Sequence, residues 1–201
     1  MKVKITFSEE VLGTASANPE IHKEFIASNA PDATSREEEV AAIGADKVVE
    51  KSMTVFPKDS DGSPFFWDYQ IKGFFKDACS MLARVGGKEN AVNQSGKIKA
   101  YKKVVDGMIF VSPRRIPITI PDSKAIGSCQ RPLRGQTAQG ERIALANSET
   151  VPQGSSIELE IRCLDSRHEK AVVEWLDYGE LKGIGCWRNS GKGRFTWRKL
   201  Q

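Results

Sequence analysis

The sequence predicts an α+β fold in which an antiparallel sheet carries two helices on one face. Three observations lead there. The chain opens on a polar–apolar alternation, Lys2-Val3-Lys4-Ile5-Thr6-Phe7, the period of a half-buried strand. Two amphipathic helical stripes follow, one from Asp68 and one from Asp165 or Ser166. Strand-like runs flank both, so the core reads as two strand–helix–strand halves.

Each element has its own signal. Asn18-Pro19 reads as a helix cap and first turn, and Ile21, Phe25 and Ile26 then give a short helix an apolar side. Ser35-Arg36-Glu37-Glu38 is a capping box ahead of Val40 and Ile43. Residues 8–50 thus form a long, acidic, mostly helical insertion after the first strand. Met53–Phe56 reads as a strand and 59–64 as a turn cluster. From Asp68, the residues Ile71, Phe74, Phe75, Ala78, Leu82 and Val85 follow a helical stripe that Gly86-Gly87 ends, with Lys72, Lys76 and Asp77 outside it. Lys97–Val105 is a basic helical stretch, Met108–Val111 a strand, and Ile116–Ile120 an edge or bulged strand among prolines. Residues 121–141, poor in apolar side chains, read as a mobile loop or hairpin arm that carries Arg131 and Arg134. Arg142–Ala146, the alternating Ile157–Cys163 and Gly193–Lys199 read as strands. The second helix buries Ala171, Val172, Trp175 and Leu176. This order suggests a ferredoxin-like core in one domain spanning residues 1–201.

Composition narrows the class. A chain of 201 residues can bury about 70% of its unfolded surface and needs no staples. No apolar run approaches a membrane span, and the first residues, MKVKITFSEE, lack the apolar stretch of a secretory signal. The four cysteines form no C-x-x-C pair, which argues against a zinc knuckle and for reduced thiols in a cytoplasm. A dinucleotide fingerprint after a strand and a Walker A lysine are both missing, so neither a cofactor nor a metal is expected. Charge is divided: residues 1–66 hold 7 Lys+Arg against 12 Asp+Glu, while 67–201 hold 23 against 14. The last 20 residues carry six cations and no acid, interleaved with Trp187, Phe195 and Trp197. That interleaving suits a nucleic-acid surface as well as it suits a solvated basic terminus.

The most informative segment is Gly183-Ile184-Gly185-Cys186-Trp187-Arg188-Asn189-Ser190-Gly191-Lys192-Gly193-Arg194-Phe195. Its glycines, at spacing G-x-G-x5-G-x-G, permit positive φ and close approach of a polyanion to the backbone. Three cations and an indole inside the loop offer phosphate neutralisation and base stacking together. The segment resembles the C-terminal glycine-rich signature of the RAMP superfamily, the repeat-associated RNA-binding proteins of CRISPR systems. The stretch Asp61 to Lys76 is similar to the turn and first core helix of that family's backbone subunits, with Lys72-Gly73 matching and Lys76 standing for an arginine. Tyr69-Gln70 departs from the small serine pair expected there. Ser112-Pro113-Arg114-Arg115 ahead of a strand is a third, weaker echo.

The resemblance implies a ferredoxin-like, RNA-recognition-motif-like core that binds single-stranded, guide-type RNA along its sheet and loops. It also implies assembly with copies of itself or with a CRISPR complex. A stand-alone, phage-borne relative is equally compatible. The candidate RNA contacts are Lys72, Arg114, Arg115, Arg131, Arg134, Arg188, Lys192 and Arg194, with Gly183, Gly185, Gly191 and Gly193 and a stacking Trp187. Two other readings stay open. One is metal-independent cleavage of repeat RNA, for which His22 would serve as general acid or base; His168 is poorly placed, and Asp32 fits a turn better than a metal-assisted step. The other is a protein-interaction module of anti-CRISPR type, docking through the acidic region 8–50.

Overall fold

Residues 1–16, 53–85, 93–137 and 140–200 are described here by a computed structural model, with 133–137 and 140–145 described by their backbone alone. The proposed helices of the insertion, His22 and Asp32 lie outside the described residues.

The first strand, β1 (Lys2–Phe7), buries Val3, Ile5 and Phe7 and turns Lys2, Lys4 and Thr6 the other way. Two short strands, β2 (Val11–Leu12) and β3 (Ala15–Ser16), come next, then β4 (Met53–Val55) and β5 (Phe65–Trp67). Helix α1 spans Asp68–Leu82 and α2 spans Tyr101–Met108. Strands β6 (Ile109–Ser112) and β7 (Arg115–Pro117) precede a long ribbon, β8 (Gly127–Thr137) and β9 (Gly140–Val151). The chain closes with β10 (Ser156–Cys163), α3 (Glu169–Lys182) and β11 (Phe195–Lys199). The protein is therefore mixed α+β, with sheets that are antiparallel except where β4 runs parallel to β9, and three α-helices among the described residues.

The main sheet has the order β11-β1-β10-β6 with every neighbour antiparallel. Helices α1 and α3 pack together over its apolar face. Phe75 meets Trp175 at 5.4 Å between ring centroids, and Phe74 meets Phe195 edge-on at 5.5 Å. Gly179 admits the Phe195 ring against α3, because a Cβ there would overlap it. The second sheet runs β2-β9-β4-β3, with β8 on β9. Its buried Glu149 accepts the Phe56 N–H at 2.9 Å and pairs with Lys58 at 2.5 Å, so a carboxylate joins β9 to the loop after β4.

Several boundaries differ from the expected ones. Helix α1 stops at Leu82, before Gly86-Gly87, because the Asn93 amide donates to the Leu82 carbonyl (2.7 Å) and takes over a helix-end acceptor. The basic stretch 97–105 splits into a 3-10 turn at Ser95–Lys97 and α2, separated by Ala100 at φ 50°. The strand expected at 116–120 is β7, paired with β5. Beyond it only Thr119 bridges Ser156, since Pro117 and Pro121 have no N–H to donate. Asp165 caps a 3-10 turn at Ser166–His168, and α3 begins one residue later. The polar region 121–141 supplies all of β8 and runs into β9, held by cross-strand backbone pairing from Gly127–Thr150 to Thr137–Gly140.

One buried polar node ties the helical layer. The Trp175 indole donates to Ser95 Oγ (3.0 Å), Ser95 Oγ donates to Glu174 (3.0 Å), and Glu174 also accepts the Gln94 and Ser95 N–H groups. Ser95→Ala leaves the indole N–H unpaired. We expect a loss of about 1–3 kcal/mol in chemical denaturation, while Ser95→Thr retains most of the stability.

Candidate nucleic-acid interface

Gly183 ends α3 at φ 74°, and its N–H still donates to Gly179 O (3.0 Å). The loop then folds onto its own far end. Ile184 N–H donates to Gly193 O and Gly193 N–H to Glu10 O, both at 2.9 Å. The two G-x-G units lie against each other: a Cβ on Gly193 would overlap the Ile184 carbonyl, and one on Gly183 would meet the 192–194 backbone. A Cβ on Gly185 would come within 2.9 Å of the Leu12 carbonyl oxygen. These three glycines therefore bring protein backbone to protein backbone, where the spacing suggested room for a polyanion. At Gly191 (φ 85°) a Cβ would meet only the Arg194 guanidinium, at 3.6 Å.

The loop cations have distinct surroundings. Arg188 pairs with Asp77 of α1 at 2.6 Å. Lys192 pairs with Glu10, and that hydrogen bond holds its ammonium above the usual lysine range. Arg194 is exposed and has no carboxylate partner among the described residues. Sequence reasoning missed both carboxylates. Asp77 is 111 residues from its partner and Glu10 is 182, so no local spacing announces either pair.

The sharpest feature is Arg131. It comes from β8, is only 9% exposed, and lies with its guanidinium carbon 5.1 Å from the centre of the Trp187 ring. One terminal nitrogen donates to Ser148 Oγ (3.0 Å), and Ser148 Oγ lies 2.7 Å from the Thr54 hydroxyl. The Arg131 Nε is buried without a hydrogen-bond partner, and no carboxylate pairs with the group among the described residues. A buried charge compensated only by a ring and a hydroxyl is unusual. Trp187 meets it from a left-handed backbone (φ 56°, ψ 33°) that a bulky residue seldom adopts, and keeps 39% of its surface exposed. Cys186, beside this pair, has its thiol pushed up by burial against the pull of Arg131 and Arg188.

On the other side of the loop lies a cleft of about 400 Å³. Its walls include Phe66, Trp67, Phe74 and Ile184, and its rim includes Thr14 and Arg188. Gln70 is fixed there: its Oε1 accepts the Trp67 N–H (2.8 Å) and its Nε2 donates to Thr14 Oγ1 (2.6 Å).

The remaining candidates are spread out. Lys72 lies on the flank of α1 toward α2, donating to Asp106 O (3.1 Å) over the Phe110 ring at 5.2 Å. Arg114 sits over Trp67 at 5.2 Å, and Arg115 pairs with Asp59 at 3.0 Å. Arg134 falls in β8 opposite Ile143, and its side chain lies outside the described residues. The open face of the main sheet mixes charges. Lys4 pairs with Glu158 (3.1 Å) and Arg162 approaches Glu160 (3.5 Å), while Phe110, 45% exposed, is its exposed large ring. The structure thus brings Arg131, Trp187, Arg188, Lys192 and Arg194 to one region and leaves Lys72 away from it.

No family model and no curated protein matches this chain. Solved structures do. Along its whole length the chain is similar to a chain of the type III-B Cmr-beta complex bound to cognate target RNA, at 12% identity and a TM-score of 0.58, and it spans 58% of that chain. It is also similar to Cmr6 from Pyrococcus furiosus, at 10% identity and TM-score 0.47, over 98% of this chain and 97% of that one. A chain of a type IV-B CRISPR complex gives 11% identity and TM-score 0.47, over 98% and 88%. At 12% identity the likeness to the Cmr-beta chain shows a shared fold. Among the described residues, no helix is long and apolar enough to cross a membrane.

Two predictions follow from the loop geometry. Gly193→Ala should cost more than about 2 kcal/mol in thermal or chemical unfolding, because backbone must move. Gly191→Ala should cost about 1–2 kcal/mol, from its positive φ alone. Thiolate is the form that alkylates. Burial pushes Cys79 up to about 11 and raises Cys186 as well. At pH 8 native Cys79 then carries on the order of a hundredfold less thiolate than in the unfolded chain. Mass spectrometry after iodoacetamide should find both thiols slower in the native protein, and fast modification of Cys186 would contradict the loop as described.

Proposed function

We propose that the chain is a non-catalytic RAMP-type RNA-binding protein that holds single-stranded, guide-type RNA within a CRISPR-type ribonucleoprotein, or in an array of its own copies. The observation that carries this is Arg131, a buried guanidinium that no described carboxylate pairs with, lying over the half-exposed Trp187 beside Arg188 and Arg194. A phosphate completes the charge balance of Arg131, and a base stacks on the outer surface of Trp187. The strand order β11-β1-β10-β6, with α1 after the first strand and α3 after the third, supports a ferredoxin-like core. In this reading residues 1–201 are one domain, 8–50 an insertion and 121–141 the greater part of an arm. The fold shared with a Cmr-beta chain supports the partner class.

RNA is bound here by charge and stacking, without a reacting group. Arg131, Arg188, Lys192 and Arg194 neutralise phosphates, the cations paired with Asp77 and Glu10 exchanging partners as RNA docks. Trp187, supported from behind by Arg131, presents a rigid ring to a base.

Anisotropy titrations of single-stranded RNA at several salt concentrations test this. The logarithm of the affinity should fall linearly with the logarithm of salt, and Arg194→Ala should make that slope shallower by about 0.7. Trp187→Ala should weaken binding by about tenfold and leave the slope unchanged, since stacking carries no counterion. Absence of affinity at low salt would overturn the reading.

A further inference from the structure

We propose that the cleft beside the glycine-rich loop takes one unstacked nucleobase of the bound strand, with the adjoining phosphate on Arg188. This deepens the RNA-binding reading and rests on it. The cleft's volume, about 400 Å³, falls within the range of small-ligand sites, about 300–1,000 Å³. Its walls suit a flat heterocycle. Tyr69, 41% exposed, lies parallel to Trp67 within 10°, and Phe66, Phe74 and Ile184 add apolar surface. Its rim suits a base edge and a phosphate. Gln70 is locked between the Trp67 N–H and Thr14, which leaves the Thr14 hydroxyl proton to donate. Among the described residues Arg188 spends one terminal nitrogen on Asp77, and its other N–H groups can take an anion.

Gly73 adds an independent sign. It lies inside α1, where glycine is less stable than alanine, and lines the cleft. Among the described residues, nothing lies within 4 Å of the point its Cβ would occupy. The described packing therefore does not require a glycine there. A bare backbone at this position keeps the side of the cleft open for something from outside. The cleft is also continuous with the candidate interface: Arg188 lines it, and Trp187, on its Arg131 support, is the adjacent residue. A strand crossing the loop can stack one base on Trp187 and seat a neighbour in the cleft.

The test uses the full chain, a single-stranded RNA containing 4-thiouridine, and Gly73→Leu, which fills the cleft with a good helix former. Crosslinks in the wild type should fall on the peptide containing Trp67 to Phe74 and on the peptide containing Trp187. Gly73→Leu should lose the first and keep the second, and should weaken RNA binding by about fivefold or more. Its melting temperature should equal or exceed that of wild type, which separates occlusion from unfolding. Gly73→Ala should give a smaller drop in the same direction, and serves if the leucine variant does not fold. RNA binding with no crosslink at Trp67–Phe74, or with that crosslink intact in Gly73→Leu, overturns the pocket alone. No RNA binding by any form overturns the pocket together with the function it rests on.

Discussion

The candidate site depends on the contact between Arg131 and Trp187. Placing a guanidinium where only 9% of the residue is exposed costs several kcal/mol of hydration. The ring returns about 2 kcal/mol if the contact is well desolvated, and the bond to Ser148 about 1.5–3 kcal/mol. A local carboxylate would complete the compensation, and none of the described carboxylates does so. The pair instead fixes the ribbon to the glycine-rich loop with a charge left over, and it holds Trp187 in its left-handed conformation. The loop and the base of the ribbon become one surface through it, and the Arg188–Asp77 pair ties that surface to α1.

That surface belongs to the loops, and the sheet contributes less than its architecture suggests. Four antiparallel strands with helices behind them leave one broad face open. Here Lys4 and Arg162 are answered by Glu158 and Glu160 across or along that face. With Lys2 and Arg198 on the same side, the face keeps only a small positive excess for a polyanion. Two of the loop cations, Arg188 and Lys192, are held by partners from remote parts of the chain, Asp77 and Glu10. Those carboxylates keep the free protein's loop in place, and a phosphate must compete with them. An electrostatic exchange of this kind makes binding salt-dependent and tunable.

The elements legible in the sequence were those with a period: β1 and β10 from strict alternation, α1 and α3 from their apolar stripes, and the loop from its glycine spacing. Burial writes such periods because one face must be apolar. The ribbon left a weaker trace, since β8 and β9 are held by backbone pairing, which any polar sequence can supply. The role of the glycines was only half legible. Spacing announced positive φ, but not that Gly183 and Gly193 would face each other or that Gly185 would lie on Leu12. The ring contact of Arg131 and the ion pairs of Arg188 and Lys192 were invisible, because each joins residues more than 50 positions apart. The Cmr-beta chain shares this fold at 12% identity.

The most direct measurement follows the Arg131 Nε–H resonance by nuclear magnetic resonance while single-stranded RNA is added. If this buried charge awaits a phosphate, the resonance should shift and its exchange with water should slow as the complex forms. An Arg131 signal that stays unmoved while RNA binds elsewhere would contradict the account.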